Sequence, residues 1–172
     1  MIQRGHREAL CTLEKIYRDE SSIDESEERI LTWNQHRFLT EWLGKQQVDG
    51  PPIADVKARL KEMIGWLEKQ EIKYKVHNSS LSYCNLAHAN AYTNALMRSR
   101  TINICPYWFE KSPRARAATI IHELVHGLGF GHPDGTVLPI DAYRLAKNEP
   151  FKARKSPENY EGLAREYYCS EK

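Results

Sequence analysis

The stretch His122-Glu123-Leu124-Val125-His126 constrains this chain more than any other, because it fixes a local conformation and a chemistry together. Histidines four residues apart project together from one face of a helix. The flanking residues agree with a helix here. Ser112-Pro113 supplies a side chain able to cap free backbone N–H groups and then a residue preset for the first helical position, while Gly127 and Gly129 mark the far end. Ala117, Ile121, Leu124 and Leu128 form a stripe that this helix is expected to bury, which leaves His122 and His126 on another face.

Two imidazoles one turn apart share a single zinc ion, and Glu123 is carried beside the metal without binding it. There it takes a proton from activated water. This is the HExxH arrangement of zinc metallopeptidases. Two buried histidines that merely satisfy hydrogen bonds are the plainer reading. A capped helix, an adjacent glutamate and further ligands past a glycine turn together weigh against it. For the third ligand the sequence offers His132, Asp134 and Glu161. With Gly129, His132 completes HExxHxxGxxH, in which the glycine turns the chain so that a third imidazole returns to the metal. That spacing is similar to the metzincins, although the methionine turn of that group has no counterpart: Met1, Met63 and Met97 all precede the motif. His132 is preferred on local grounds, because it needs no further loop to return, whereas Asp134 must pass Pro133. With His132 bound, Asp134 is expected to be an outer partner that holds an imidazole in its tautomer.

Around this helix the chain reads as a helical first half, a short strand region and a helical end. Residues 7–20 have helix-forming composition, and a second helix is expected over about 27–44, carrying Trp33, Phe38 and Trp42. Val56, Leu60, Met63, Ile64 and Leu67 mark the apolar stripe of a third. Alternation of Ile72, Tyr74 and Val76, and of Ile102 and Ile104, predicts two half-buried strands. With 172 residues, 41% of them apolar, the chain suffices for one domain that buries roughly two thirds of its unfolded surface. The 25 Lys and Arg nearly balance 23 Asp and Glu, and a net charge of +2 argues against a nucleic-acid partner. No run approaches the roughly eighteen apolar residues of a membrane span, and "MIQRGHREAL" lacks the apolar core of a signal peptide.

The segments "CNLAHANAYT", "INICPYWF", "RAATIIHELVH" and "LAKNEPFKARKSPENYEGLA" resemble the aspzincins. That family comprises deuterolysin, the fungal peptidyl-Lys metalloendopeptidases and related domains attached to bacterial toxins. The resemblance covers most of residues 55–168. It implies a GTxDxxYG segment after HExxH, whose aspartate binds zinc and whose tyrosine assists the developing oxyanion. An ungapped count back from "LAKNEP" puts Asp134 at the aspartate's place and Val137 at the tyrosine's. Tyr143 is the nearest substitute in sequence, with a packed aromatic as its plainer role. The resemblance also implies a Cys84–Cys105 disulfide and an oxidising destination. Cys11 and Cys169 lie near the two ends, and their pairing is left open.

These readings converge on a mostly helical α+β zincin, one domain over residues 1–172, with a small sheet and an HExxH helix. The expected function is a metalloendopeptidase with one zinc, held by His122, His126 and His132 or Asp134, with Glu123 as general base. Tyr143 is the expected oxyanion donor. Its partners are a protein or peptide substrate and, by the toxin resemblance, an inhibitor or immunity protein. The same resemblance implies a secreted or carrier-delivered effector. A zincin fold kept as a binding module with little turnover is the alternative.

Overall fold

The first helix shows how the sequence pattern becomes packing. In the computed structural model, which describes residues 1–23, 29–46, 53–77, 84, 89–133 and 138–170, α1 spans Ile2–Ser21 and buries Ala9, Leu13 and Ile16. α4 (Ala54–Glu68) presents Val56, Leu60, Met63 and Leu67 as expected. Ile64 is only partly buried. Trp66 is buried in the same turn, packed where Gly127 leaves room for its ring. The helix expected over 27–44 is two helices, α2 (Arg29–Gln35) and α3 (Arg37–Leu43). His36 separates them because its backbone is extended, and its ring accepts a hydrogen bond from the Leu39 N–H as the N-cap of α3.

The two expected strands form at Lys73–Val76 (β1) and Thr101–Ile104 (β3) and pair in parallel, Lys73 opposite Thr101. A third strand, Ala91–Tyr92 (β2), pairs antiparallel with β3 on its other side. Ile102 and Ile104 are buried as the alternation requires, but Val76 at the end of β1 is exposed.

After the short α5 (Pro106–Glu110) comes α6, Pro113–Gly127, the helix that carries the HExxH stretch. Ser112 caps it: its hydroxyl accepts from the Ala115 N–H at 3.3 Å. Ala117, Ile121, Leu124 and Leu128 are buried, in line with the stripe read from the sequence. The chain ends in α7 (Pro139–Asn148), α8 (Pro150–Ala153) and α9 (Pro157–Glu166), and α9 packs directly on α6.

Buried polar groups fix α9 in place. Asn159, wholly buried, donates to the carbonyls of Trp42 at 2.5 Å and Ala142 at 2.8 Å, which joins α9 to α3 and α7. Gly162 lies so close to the Trp42 ring that a Cβ there would stand 2.1 Å from it. Arg154, almost fully buried, donates to the Leu43 and Lys45 carbonyls and to Gln46 Oε1. Two disulfides complete the frame. Cys84–Cys105 is the pair that the resemblance implies, and Cys11–Cys169 ties α1 to the chain beyond α9. Among the described residues no helix is long and apolar enough to cross a membrane.

Candidate active site

His122 and His126 emerge one turn apart on α6, with ring centroids 4.9 Å apart. The helix then stops in an ordered way. Gly129 takes a left-handed conformation (φ +95°), its N–H bonds the His126 carbonyl at 2.8 Å, and the Phe130 N–H reaches back to Val125 at 3.4 Å. These are the paired bonds of a Schellman cap. A side chain at Gly129 would be strained in that conformation and would press on Arg98. From below, Arg59 of α4 stacks on the Phe130 ring at 4.9 Å. The turn therefore aims the Phe130 carbonyl at His126 Nδ1, 2.7 Å away, and returns His132 to the pair. The His132 ring centroid lies 4.7 Å from that of His126 and 5.5 Å from that of His122.

The three rings offer nitrogens that lie within 4.8 Å of one another. Around a tetrahedral zinc, nitrogens at about 2.1 Å would stand about 3.4 Å apart, so small side-chain rotations close the set. The Phe130 carbonyl accepts only from an N–H, which makes His126 Nδ1 the protonated nitrogen and leaves Nε2 for coordination. His132 Nδ1 lies 2.5 Å from Glu158 Oε1, and His122 Nδ1 lies 3.0 Å from Glu161 Oε2. The second contact has ion-pair distance without hydrogen-bond alignment, so His122 Nδ1 counts as unsatisfied in this geometry.

Burial is the largest influence on His122 and favours the neutral ring, but Glu161, Glu123 and Glu158 together outweigh it and raise its pKa to about 8. Burial, with the positive His122 beside it, lowers His126 to about 4, so this ring keeps a free lone pair at neutral pH. Burial raises Glu123 above the ordinary carboxylate range, against the pull of His122 and a hydrogen bond from Thr93. Glu158 and Glu161 move the other way. Burial alone would raise both, yet their histidine partners hold them below the ordinary range, Glu161 at about 2.

Glu123 is nearly fully buried, and its Oε2 has no hydrogen-bond partner among the described residues. A buried carboxylate oxygen without a partner is costly unless something else occupies the space before it. That orphaned oxygen, beside three imidazoles whose nitrogens converge, fits a metal ion with an attached water, and binding the ion would displace the proton that His122 otherwise holds. His122, Glu123, His126 and His132 all open into one cleft of about 910 Å³. A smaller groove of about 440 Å³ between α1 and α4 shares no residue with it.

The structure does not bring Tyr143 to this cleft. Its ring lies 4.2 Å from that of Trp42, and Glu41 interacts with it, so α7 uses it as a packing residue away from the cleft lining. Asp134 lies outside the described residues. Glu161 stands beside His122 Nδ1, and Arg165 holds its other oxygen at 2.6 Å. Sequence reasoning missed Glu158 and Thr93. The signal for Glu158 was its spacing from Glu161, three residues apart and hence on one face of α9; nothing local pointed to Thr93.

Comparisons with known proteins place the fold and the family. A zinc peptidase from Grifola frondosa has a similar fold, with a TM-score of 0.67 at 16% identity, covering 95% of this chain and 94% of that one. Among curated proteins none matches the sequence. The model of the aspzincin family, described as lysine-specific metallo-endopeptidase, matches residues 32–165, which include the HExxH helix, His132, Glu158 and Glu161. On that match, the chain belongs to the aspzincin family of metallo-endopeptidases.

Proposed function

We propose that residues 1–172 form one zinc-dependent endopeptidase domain, with a single ion held by His122, His126 and His132. The observation that carries this reading is the convergence of three imidazoles beside the unpartnered Glu123 Oε2 in one cleft. A zinc ion bound there supplies Lewis acidity, which makes a water nucleophilic near neutral pH and polarises the scissile carbonyl. Glu123 accepts the proton released by that water and delivers it to the leaving amine. Its burial serves this role, because a carboxylate shielded from solvent has a raised pKa and exchanges a proton more readily near neutrality. Thr93 keeps the carboxylate oriented. The two disulfides and the family support a secreted or carrier-delivered protein that acts on other proteins.

Glu123→Gln tests the reading. The variant should keep zinc, since Glu123 is not a ligand, and lose proteolysis by about 10² to 10⁴-fold. Zinc content by elemental analysis and cleavage of a peptide library supply the two readouts. A wild type that holds zinc and cleaves no peptide would favour the binding-module alternative.

A further inference from the structure

The connection between β2 and β3 carries the two most exposed large hydrophobic side chains among the described residues, Leu96 at 98% and Met97 at 77%. Single apolar residues on a surface are ordinary, whereas an adjacent pair held out by a fixed turn is not. This turn is fixed. The Arg98 N–H donates to the Ala95 carbonyl at 3.1 Å, which closes a four-residue turn with Leu96 and Met97 at its two central positions. The Met97 N–H donates to Asn94 Oδ1 at 3.2 Å, and the Ser99 N–H to the Asn94 carbonyl at 3.3 Å. The turn is also seated on the helix that bears the histidines: a Cβ on Gly127 would stand 3.0 Å from the Ser99 carbonyl, and the Arg98 stem lies against Gly129. The backbone therefore holds both side chains outward.

Their place decides what they can meet. Ala95 and Leu96 line the same cleft as His122, Glu123 and His126, so a peptide lying along that cleft comes within reach of Leu96. An anionic membrane surface is the less suited partner. Such a surface is held by clusters of roughly four to eight Lys or Arg. Of the two arginines beside the turn, Arg100 is already engaged by Glu71 and by the Trp66 ring, 5.0 Å away.

We propose that Leu96 and Met97 form an apolar rim of the cleft, which selects peptide substrates carrying a large apolar side chain a few residues from the scissile bond. Contact with that side chain removes apolar surface from water on both partners, and the pre-set turn needs little ordering beforehand. The selection is one of binding, so it acts on KM more than on kcat. The inference rests on the endopeptidase reading above.

The test compares wild type with the double variant Leu96→Ser/Met97→Ser, whose changes fall on exposed side chains and should leave the fold and the zinc content as they are. In a peptide-library digest, wild type should favour Leu or Phe over Ser at one position near the cleaved bond by about tenfold in kcat/KM, the low end of what an enclosed pocket gives. In the double variant that ratio should fall to about one, through KM, while Leu96→Met should keep it. General damage would slow both peptides alike and leave the ratio unchanged. A second arm needs no turnover. Zinc-loaded Glu123→Gln is titrated by fluorescence anisotropy with short labelled peptides in which a single Leu is walked along a Gly-Ser chain. One of them should bind about tenfold more tightly than the Gly-Ser chain alone, and Leu96→Ser/Met97→Ser in the same background should abolish the difference. No apolar preference before the double change, or one that survives it, in either arm, would overturn the proposal. Sedimentation with phosphatidylserine vesicles that depends on the pair, with the peptide preference intact, would overturn it in favour of a lipid surface. A wild type that holds zinc and cleaves no peptide would instead overturn the endopeptidase reading, and the binding arm would still decide the rim.

Discussion

His122 and His126 owe their positions to one helix, whereas His132 owes its position to a turn and to a second helix that meets it from the side. α6 caps itself at Ser112, buries its apolar stripe and ends in a Schellman cap, so the spacing of its two imidazoles follows from backbone hydrogen bonds alone. For His132 the Gly129 turn sets only the direction of return, and Glu158 supplies the contact. The difference teaches that the helix-borne pair is set locally, by helix geometry, while the place of His132 also involves a contact from α9.

The largest expected effect comes from removing the tertiary half. His132→Ala should lower zinc affinity by orders of magnitude, and Asp134→Ala by no more than about 10 to 100-fold, the loss typical of an outer partner. Isothermal titration of both variants decides between them, and reversed magnitudes would give the third place to Asp134. Docking of α9 can be attacked without touching a ligand. Gly162→Ala forces a methyl group into the Trp42 ring and should cost about 1–3 kcal/mol in a urea unfolding curve. Zinc affinity should fall with it, and an unchanged affinity would separate α9 docking from the site. The smallest effect belongs to the local half. Ser112→Ala removes an exposed cap and should cost about 0.5 to 1 kcal/mol, leaving zinc affinity as in wild type. A comparable loss of zinc would show that the helix pair is less self-sufficient than its hydrogen bonds indicate.

The same division describes what could be read in advance. Sequence determined α6 from cap to terminal glycines, the two imidazoles on one face and the glutamate beside them, because helical periodicity and capping act within a few residues. It determined the apolar stripe of α4 and the buried alternation of β3 for the same reason. The break at His36 was also local, but a run of apolar residues on both sides concealed it. Cys84–Cys105 came from family resemblance. Only the tertiary structure decided that Cys11 meets Cys169, that β2 joins the sheet and that Trp66 takes the buried place beside Gly127. It also decided that Tyr143 packs on Trp42 and that Glu158 grips His132. Each of these is a contact between segments far apart in the chain, formed when buried groups find partners across elements. Periodicity carries no information about which distant group that partner will be.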